Sequence, residues 1–174
     1  MSEPEATTVL SSGVLTLTLN RPAQLNAMTP SMVELIIEAT VEARQSGARA
    51  FLVRAEGRGF CAGRDLTGSQ PGVADGGVLD SGGHKGLVDR LGSAVAMDLI
   101  YSGRTLTGVE AAAAGLASRA IPEAKLTAVA SDYAAQVAQG PVLAVAEAKR
   151  RVRALSASAM SLEVILYAEA AAQT

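Results

Sequence analysis

The sequence holds a single cysteine, Cys61, and a single histidine, His84. One thiol excludes an internal disulfide and any multi-cysteine metal site, and it suits a reducing compartment. Cys61 has no histidine at a nucleophile spacing, so packing is the reading its context favours. His84 has no second ligand or paired nucleophile and is expected at the surface. Charge of either sign is in short supply: 15 Lys and Arg face 17 Asp and Glu, a net charge of −2. That balance argues against nucleic acid or an anionic membrane surface as partner. No run approaches the ~18 apolar residues of a membrane span. "MSEPEATTVL" lacks the basic and apolar regions of a signal peptide, so the expectation is a cytoplasmic protein. Neither a P-loop nor the G-x-G-x-x-G dinucleotide fingerprint occurs, and there is no internal repeat.

What is present is enough apolar material for a core, 49% of 174 residues. "VLTLTLN" alternates, with Leu15, Leu17 and Leu19 to one side and Thr16 and Thr18 to the other, the period of a half-buried strand. "PSMVELIIEATVEARQSG" follows as an amphipathic helix, with Pro30 in the first turn, Ser31 and Glu34 spaced as a capping box, and Gly47 as its stop. "AFLVRA" is the next strand, which makes the fold class α/β with a βαβ unit. "TGSQPGVADGGVLDSGG" then forms a long connection poor in apolar periodicity. The remainder reads as mostly helical. Leu87, Leu91 and Val95 share a face, "TGVE" at Thr107–Glu110 is a capping box, and "LASRAIP" can form a strand. Helices are expected over 123–139, 141–155 and 158–172. Val142, Val145, Val152 and Leu155, then Leu162, Ile165 and Leu166, form apolar stripes in need of partners.

The chemistry concentrates in "GRGFCAGRDL", Gly57 to Leu66, directly after the second strand. A glycine-flanked turn leaving a strand exposes N–H groups that can aim at a developing negative oxygen, and it lets a ligand approach the main chain. An ordinary strand-to-helix turn accounts for the same pattern, and both readings stay open. Two readings also stay open for Asp80 in "GVLDSGG", a helix N-cap or a carboxylate base. The basic run Lys149, Arg150, Arg151 and Arg153 reads as a solvated helix face rather than a phosphate clamp, and Tyr101 and Tyr167 as core or interface rings.

Four stretches, in order along the chain, resemble the crotonase or enoyl-CoA hydratase/isomerase superfamily: "VLTLTLNRPAQLNAMTPSMVELI", "AFLVRAEGRGFCAGRDL", "GGVLDSGGHKGLVDRLGSAVAMDLIYSGRTLTGVEAAAAGLASRAIP" and "GPVLAVAEAKRRVRAL". The resemblance implies a crotonase-like core of ββα repeats over 1–121, with 67–79 as a flexible connection, and a helical oligomerisation region over 122–174. It implies an acyl-CoA thioester as substrate, coenzyme A entering as part of that substrate with no separate cofactor and no metal. Arg64 would supply a backbone N–H to the thioester oxygen. Main-chain groups around Ala23, Gln24, Leu25, Ala62, Arg64, Asp65 and Leu66 would line the CoA path, and Asp80 would move a proton as the isomerases' carboxylate does. Assembly as a trimer or hexamer is implied as well.

The chain departs from the family between "GRDL" and "GVLDSGG". Family members have there a helix, a buried strand and a glycine-rich turn that supplies a second oxyanion amide, together with both hydratase glutamates. The connection here matches none of them, so the core is expected to be incomplete, as is the C-terminus, where a family helix and its lysine-bearing tail are expected after "EAAAQT". Survival of Asp80 without the glutamates points to isomerase rather than hydratase chemistry. The alternative is a catalytically silent, internally deleted paralogue that binds CoA or pairs with full-length subunits.

Overall fold

The structure, a computed structural model, describes residues 3–67 and 82–156. By its internal contacts the chain divides into two units, one of Met1–Gly68 with Ala124–Val145, the other of Ser69–Glu123 with Ala146–Thr174.

The first unit is built on a three-stranded sheet ordered β1 (Ala6–Ser11), β2 (Val14–Leu19), β3 (Ala50–Ala55). β1 pairs antiparallel with β2 through a two-residue turn whose Ser12 and Gly13 both have positive φ (51° and 77°), the geometry that matches strand twist in tight hairpins. β2 runs parallel to β3 in the register Val14↔Ala50 to Leu19↔Ala55, so both strands end on the same side. The crossover between them is α1 (Pro30–Gln45). The expected βαβ unit is thus present. The helix cap differs from expectation: Thr29, not Ser31, is the N-cap, its Oγ1 accepting from Met32 N at 3.1 Å. Ser31 donates instead to Glu5 Oε2 at 2.6 Å, a partner from outside the helix that no capping-box spacing anticipates.

Both faces of β2 are covered. Leu17 and Leu19 pack with Ala6, Met32 and Ala39 on the α1 side, where Leu35, Ile36, Ala55 and Cys61 join them. The opposite face was expected to meet solvent through its threonines. It meets α4 (Glu123–Gln139), whose Ala134 and Ala138 pack on Val14 beside Ala50 and Leu52. A Cβ on Gly13 would lie 3.8 Å from that of Ala138, in ordinary packing contact. Arg49 donates to the carbonyl of Gly140, tying the start of β3 to the end of α4. Thr18 is buried and accepts from Arg54 Nε across the strands at 3.0 Å. Leu15, Leu17 and Met32 are fully buried, each side chain worth roughly 1.5–3 kcal/mol of transfer energy.

In the second unit α2 (Gly83–Ser102) is interrupted at Gly92, where φ is 74° and ψ 164°. α3 (Gly108–Ala113) opens on the expected capping box, Thr107 N donating to Glu110 Oε2 at 2.8 Å and Glu110 N to Thr107 Oγ1 at 3.2 Å. The expected strand at "LASRAIP" does not form. Its first N–H groups, on Leu116 and Ala117, donate to Ala111 O and close off α3 instead. α5 spans Val142–Ser156.

Candidate functional site

Parallel strands that end together leave their following loops side by side, and ligands of α/β sheets bind in such crevices. Here the loops are Asn20–Thr29 after β2 and Glu56–Thr67 after β3, both within the first unit. The first begins with a 3-10 turn at Pro22–Gln24 and continues through Leu25 and Asn26 at φ 50° and 56°. Two successive left-handed L-residues are disfavoured unless their surroundings hold them. The second begins at Gly57, whose φ is +84° and whose missing Cβ would lie 2.6 Å from the ring of Pro22. Only glycine lets the loops come this close.

Three main-chain hydrogen bonds join the crossing loops, and Leu25 N–H is among those that close the turn beside the junction. Ala62 N donates to Leu25 O (2.9 Å), Met28 N to Gly63 O (2.8 Å), Asp65 N to Met28 O (2.9 Å), and Leu25 N to Pro22 O (3.1 Å). Met28 and Arg64 therefore form a parallel bridge in which the residues on either side of Arg64 make the bonds. In that pattern the N–H of Arg64 itself points away from Met28. It meets no acceptor among the described residues.

Side chains reinforce the junction. Arg21 bridges Glu5 (Nε to Oε1, 3.1 Å) and Asp65 (Nη1 to Oδ2, 2.7 Å) and donates to Ala27 O at 2.5 Å. Thr67, through its hydroxyl and its N–H, and then the Arg21 guanidinium, hold the Asp65 carboxyl at about 2 against an ordinary 3.8. Glu5 is lowered too, by the hydroxyls of Ser31 and Thr29 and then by Arg21.

Of the residues expected to line the CoA path, Ala23, Gln24, Ala62, Arg64 and Leu66 are exposed on these two loops, while Leu25 and Asp65 are half-buried. The N–H groups of Gln24, Leu25, Ala62 and Asp65 are donated within the loops, and the Asp65 carboxylate is held by Arg21 and Thr67. Asp80, Tyr167, Leu162, Ile165 and Leu166 lie outside the described residues, as does nearly all of the connection at 67–79. Cys61 packs at the edge of the core and its Sγ accepts from Gly63 N at 3.4 Å, the packing role expected. His84 is in the first turn of α2 and is half-buried rather than at the surface. Tyr101 is 81% exposed and is no core ring. Arg150 and Arg151 both pair with Glu147, at 2.8 and 2.6 Å, on an exposed helix face. Among the described residues no three His, Cys, Asp or Glu are grouped to hold a metal ion, and no helix is long and apolar enough to cross a membrane. Glu5, Arg21 and Asn26 had no site role in the sequence reading. "NRPAQLNA" contained two of them, but their partners stand far along the chain.

The fold is that of the enoyl-CoA hydratases of the crotonase type. An enoyl-CoA hydratase/isomerase from Pseudoalteromonas atlantica superposes with a TM-score of 0.84 at 23% identity, over 97% of this chain and 89% of that one. An enoyl-CoA hydratase from Mycobacterium smegmatis does so at 0.81 and 22%, over 98% and 97%. Two family profiles, both described as enoyl-CoA hydratase/isomerase, match residues 14–70 and 69–174. The chain belongs to the enoyl-CoA hydratase/isomerase family. It is 37% identical over 93 residues to a probable mitochondrial enoyl-CoA hydratase of Dictyostelium discoideum, covering 53% of this chain and 34% of that protein. It is 46% identical over 55 residues to the 1,2-epoxyphenylacetyl-CoA isomerase of Escherichia coli, covering 31% and 21%. The chain thus spans about a third or less of the length of these relatives.

Proposed function

We propose that this chain binds an acyl-CoA thioester between its two strand-end loops and stabilises the enolate form, in the manner of an enoyl-CoA isomerase. The observation that carries the reading is the Arg64 N–H, directed away from Met28 between two anchored neighbours and without an acceptor among the described residues. A fixed donor of this kind needs no reorganisation when negative charge develops on the thioester oxygen, and one such donor is typically worth ~3 kcal/mol of barrier. Asp80 is the proposed acid/base. It takes a proton from the carbon next to the carbonyl, the electron pair is held as the enolate, and a proton returned two carbons further along leaves the double bond shifted. Coenzyme A comes with the substrate, no separate cofactor is invoked, and the protein works as a cytoplasmic trimer or hexamer.

Calorimetric titration with a short acyl-CoA and with free CoA tests the reading. Binding of the acyl-CoA with isomerase turnover, abolished in Asp80→Asn at nearly unchanged affinity, supports it, since an amide cannot carry the proton. Arg64→Ala keeps the main-chain donor and should cost little, whereas Arg64→Pro removes the N–H and the activity with it. Hydration of an enoyl-CoA at a rate comparable to isomerisation would refute the isomerase assignment. A second reading, a silent CoA-binding or subunit-pairing paralogue, is supported by the departure of "TGSQPGVADGG" from the family pattern, which leaves out the expected second oxyanion amide and hydratase glutamates. Binding of CoA and acyl-CoA without turnover selects it.

A further inference from the structure

Asn26 is completely buried, 0% exposed, and holds a left-handed backbone with φ 56°. Its hydrogen-bonding capacity is divided between its own loop and the one after β3. Oδ1 accepts from Arg21 N at 2.8 Å, and its own N–H donates to Arg21 O at 2.9 Å. Both amide protons go to the other loop, to Glu56 O at 2.9 Å and Gly59 O at 2.7 Å. No other side chain of this size offers two donors and an acceptor in that arrangement. The two carbonyls it holds flank the start of the glycine turn. Three residues past Gly59 the chain is pinned again, Ala62 N to Leu25 O, and then at Gly63 and Asp65 to Met28. Residues 25, 26 and 28 thus grip the loop on both sides of its turn, with Arg21 gripping Asp65 beyond.

We propose that Asn26 is a positioning residue for the acyl-thioester chemistry: by holding the carbonyls of Glu56 and Gly59 it sets the direction of the Arg64 N–H without touching the ligand. The assignment rests on the reading given under Proposed function. It explains why a fully buried polar side chain stands under a loop whose own side chains are mostly exposed. Arg21 supports the same geometry from the rim through Asp65 and the carbonyl of Ala27.

The test is a ratio of affinities. Dissociation constants are measured for an acyl-CoA thioester and for the S-alkyl thioether of equal chain length, which has a methylene in place of the carbonyl. The ratio reports recognition of the carbonyl oxygen alone. Wild type should prefer the thioester roughly three- to tenfold, the worth of one neutral hydrogen bond. Asn26→Asp loses at least one of the two donors and should bring the ratio toward one, with thioether affinity within about twofold of wild type. Circular dichroism establishes that the variant is folded. Should it not fold, Arg21→Gln loosens the same junction from its half-exposed rim and should lower the same ratio. A folded variant with the wild-type ratio overturns the assignment and leaves the acyl-thioester reading standing. Parallel weakening of both ligands marks Asn26 as merely structural and also overturns it. A wild-type ratio of one removes the acyl-thioester reading itself, and this assignment with it.

Discussion

Gly57→Ala should be among the most damaging single-methyl changes in the first unit, and its cost divides into two measurable parts. The first is conformational: φ at Gly57 is +84°, and an L-residue there costs roughly 1–2 kcal/mol. The second is steric. The new Cβ would lie 2.6 Å from Pro22 Cβ and 3.3 Å from its Cα, and a proline ring has no rotamer by which to retreat. Forcing atoms into a packed site typically costs 1–3 kcal/mol, for a sum of about 2–5 kcal/mol. Gly47 supplies the control, with φ +69° and nothing within 4 Å of an added Cβ, so Gly47→Ala should cost only the conformational ~1–2 kcal/mol. Urea denaturation of the two variants, followed by circular dichroism, gives the steric part by subtraction. A Gly57→Ala variant no less stable than Gly47→Ala would refute the close approach of the loops, and with it the geometry of the site.

The parts of the fold visible in the sequence are those whose cause is local. Alternation in Val14–Leu19, helical spacing from Pro30 and the Thr107/Glu110 box each specify an element from its own residues, and the structure contains all three. β1 escaped notice because only Ala6 of its six residues is buried, so "ATTVLS" has no apolar period to read. The threonine face of β2 misled for the complementary reason. Burial there is imposed by alanines of α4, more than a hundred residues away, and alternation along one strand carries no information about that cover. The glycine loop was legible as a place, since Gly57, Gly59 and Gly63 stand out in any reading of composition. Its support was not. Asn26 bonds to carbonyls 30 and 33 residues further on, and main-chain carbonyls have no sequence signature.

Three further outcomes follow from the same contacts. Leu17→Ala, at a fully buried position between β1 and β3, should lower stability by about 2–5 kcal/mol in urea denaturation; a cost under ~1 kcal/mol would mean that the site is not closed by α1. Thr29→Ala should cost about 1 kcal/mol by the same assay, because Met32 N loses its acceptor, while Ser31→Ala leaves that cap in place. The last outcome concerns acid. Asp65 is ionised in the folded chain down to about pH 2, against 3.8 when free, so the unfolded state binds the proton first as pH falls. The stability it contributes is therefore complete above about pH 4–5, declines through the interval between the two values, and is gone below the lower one. Asp65→Asn should accordingly be less stable than wild type at neutral pH, and the gap should close as pH is lowered from 3.8 toward about 2. Urea midpoints of both proteins across that interval measure it. A gap that stays constant with pH would show that the Asp65 charge, held by Thr67 and Arg21, adds nothing to the junction beneath the Arg64 amide, which then rests on its main-chain bonds, Asn26 and the contacts of Arg21 with Glu5 and the carbonyl of Ala27.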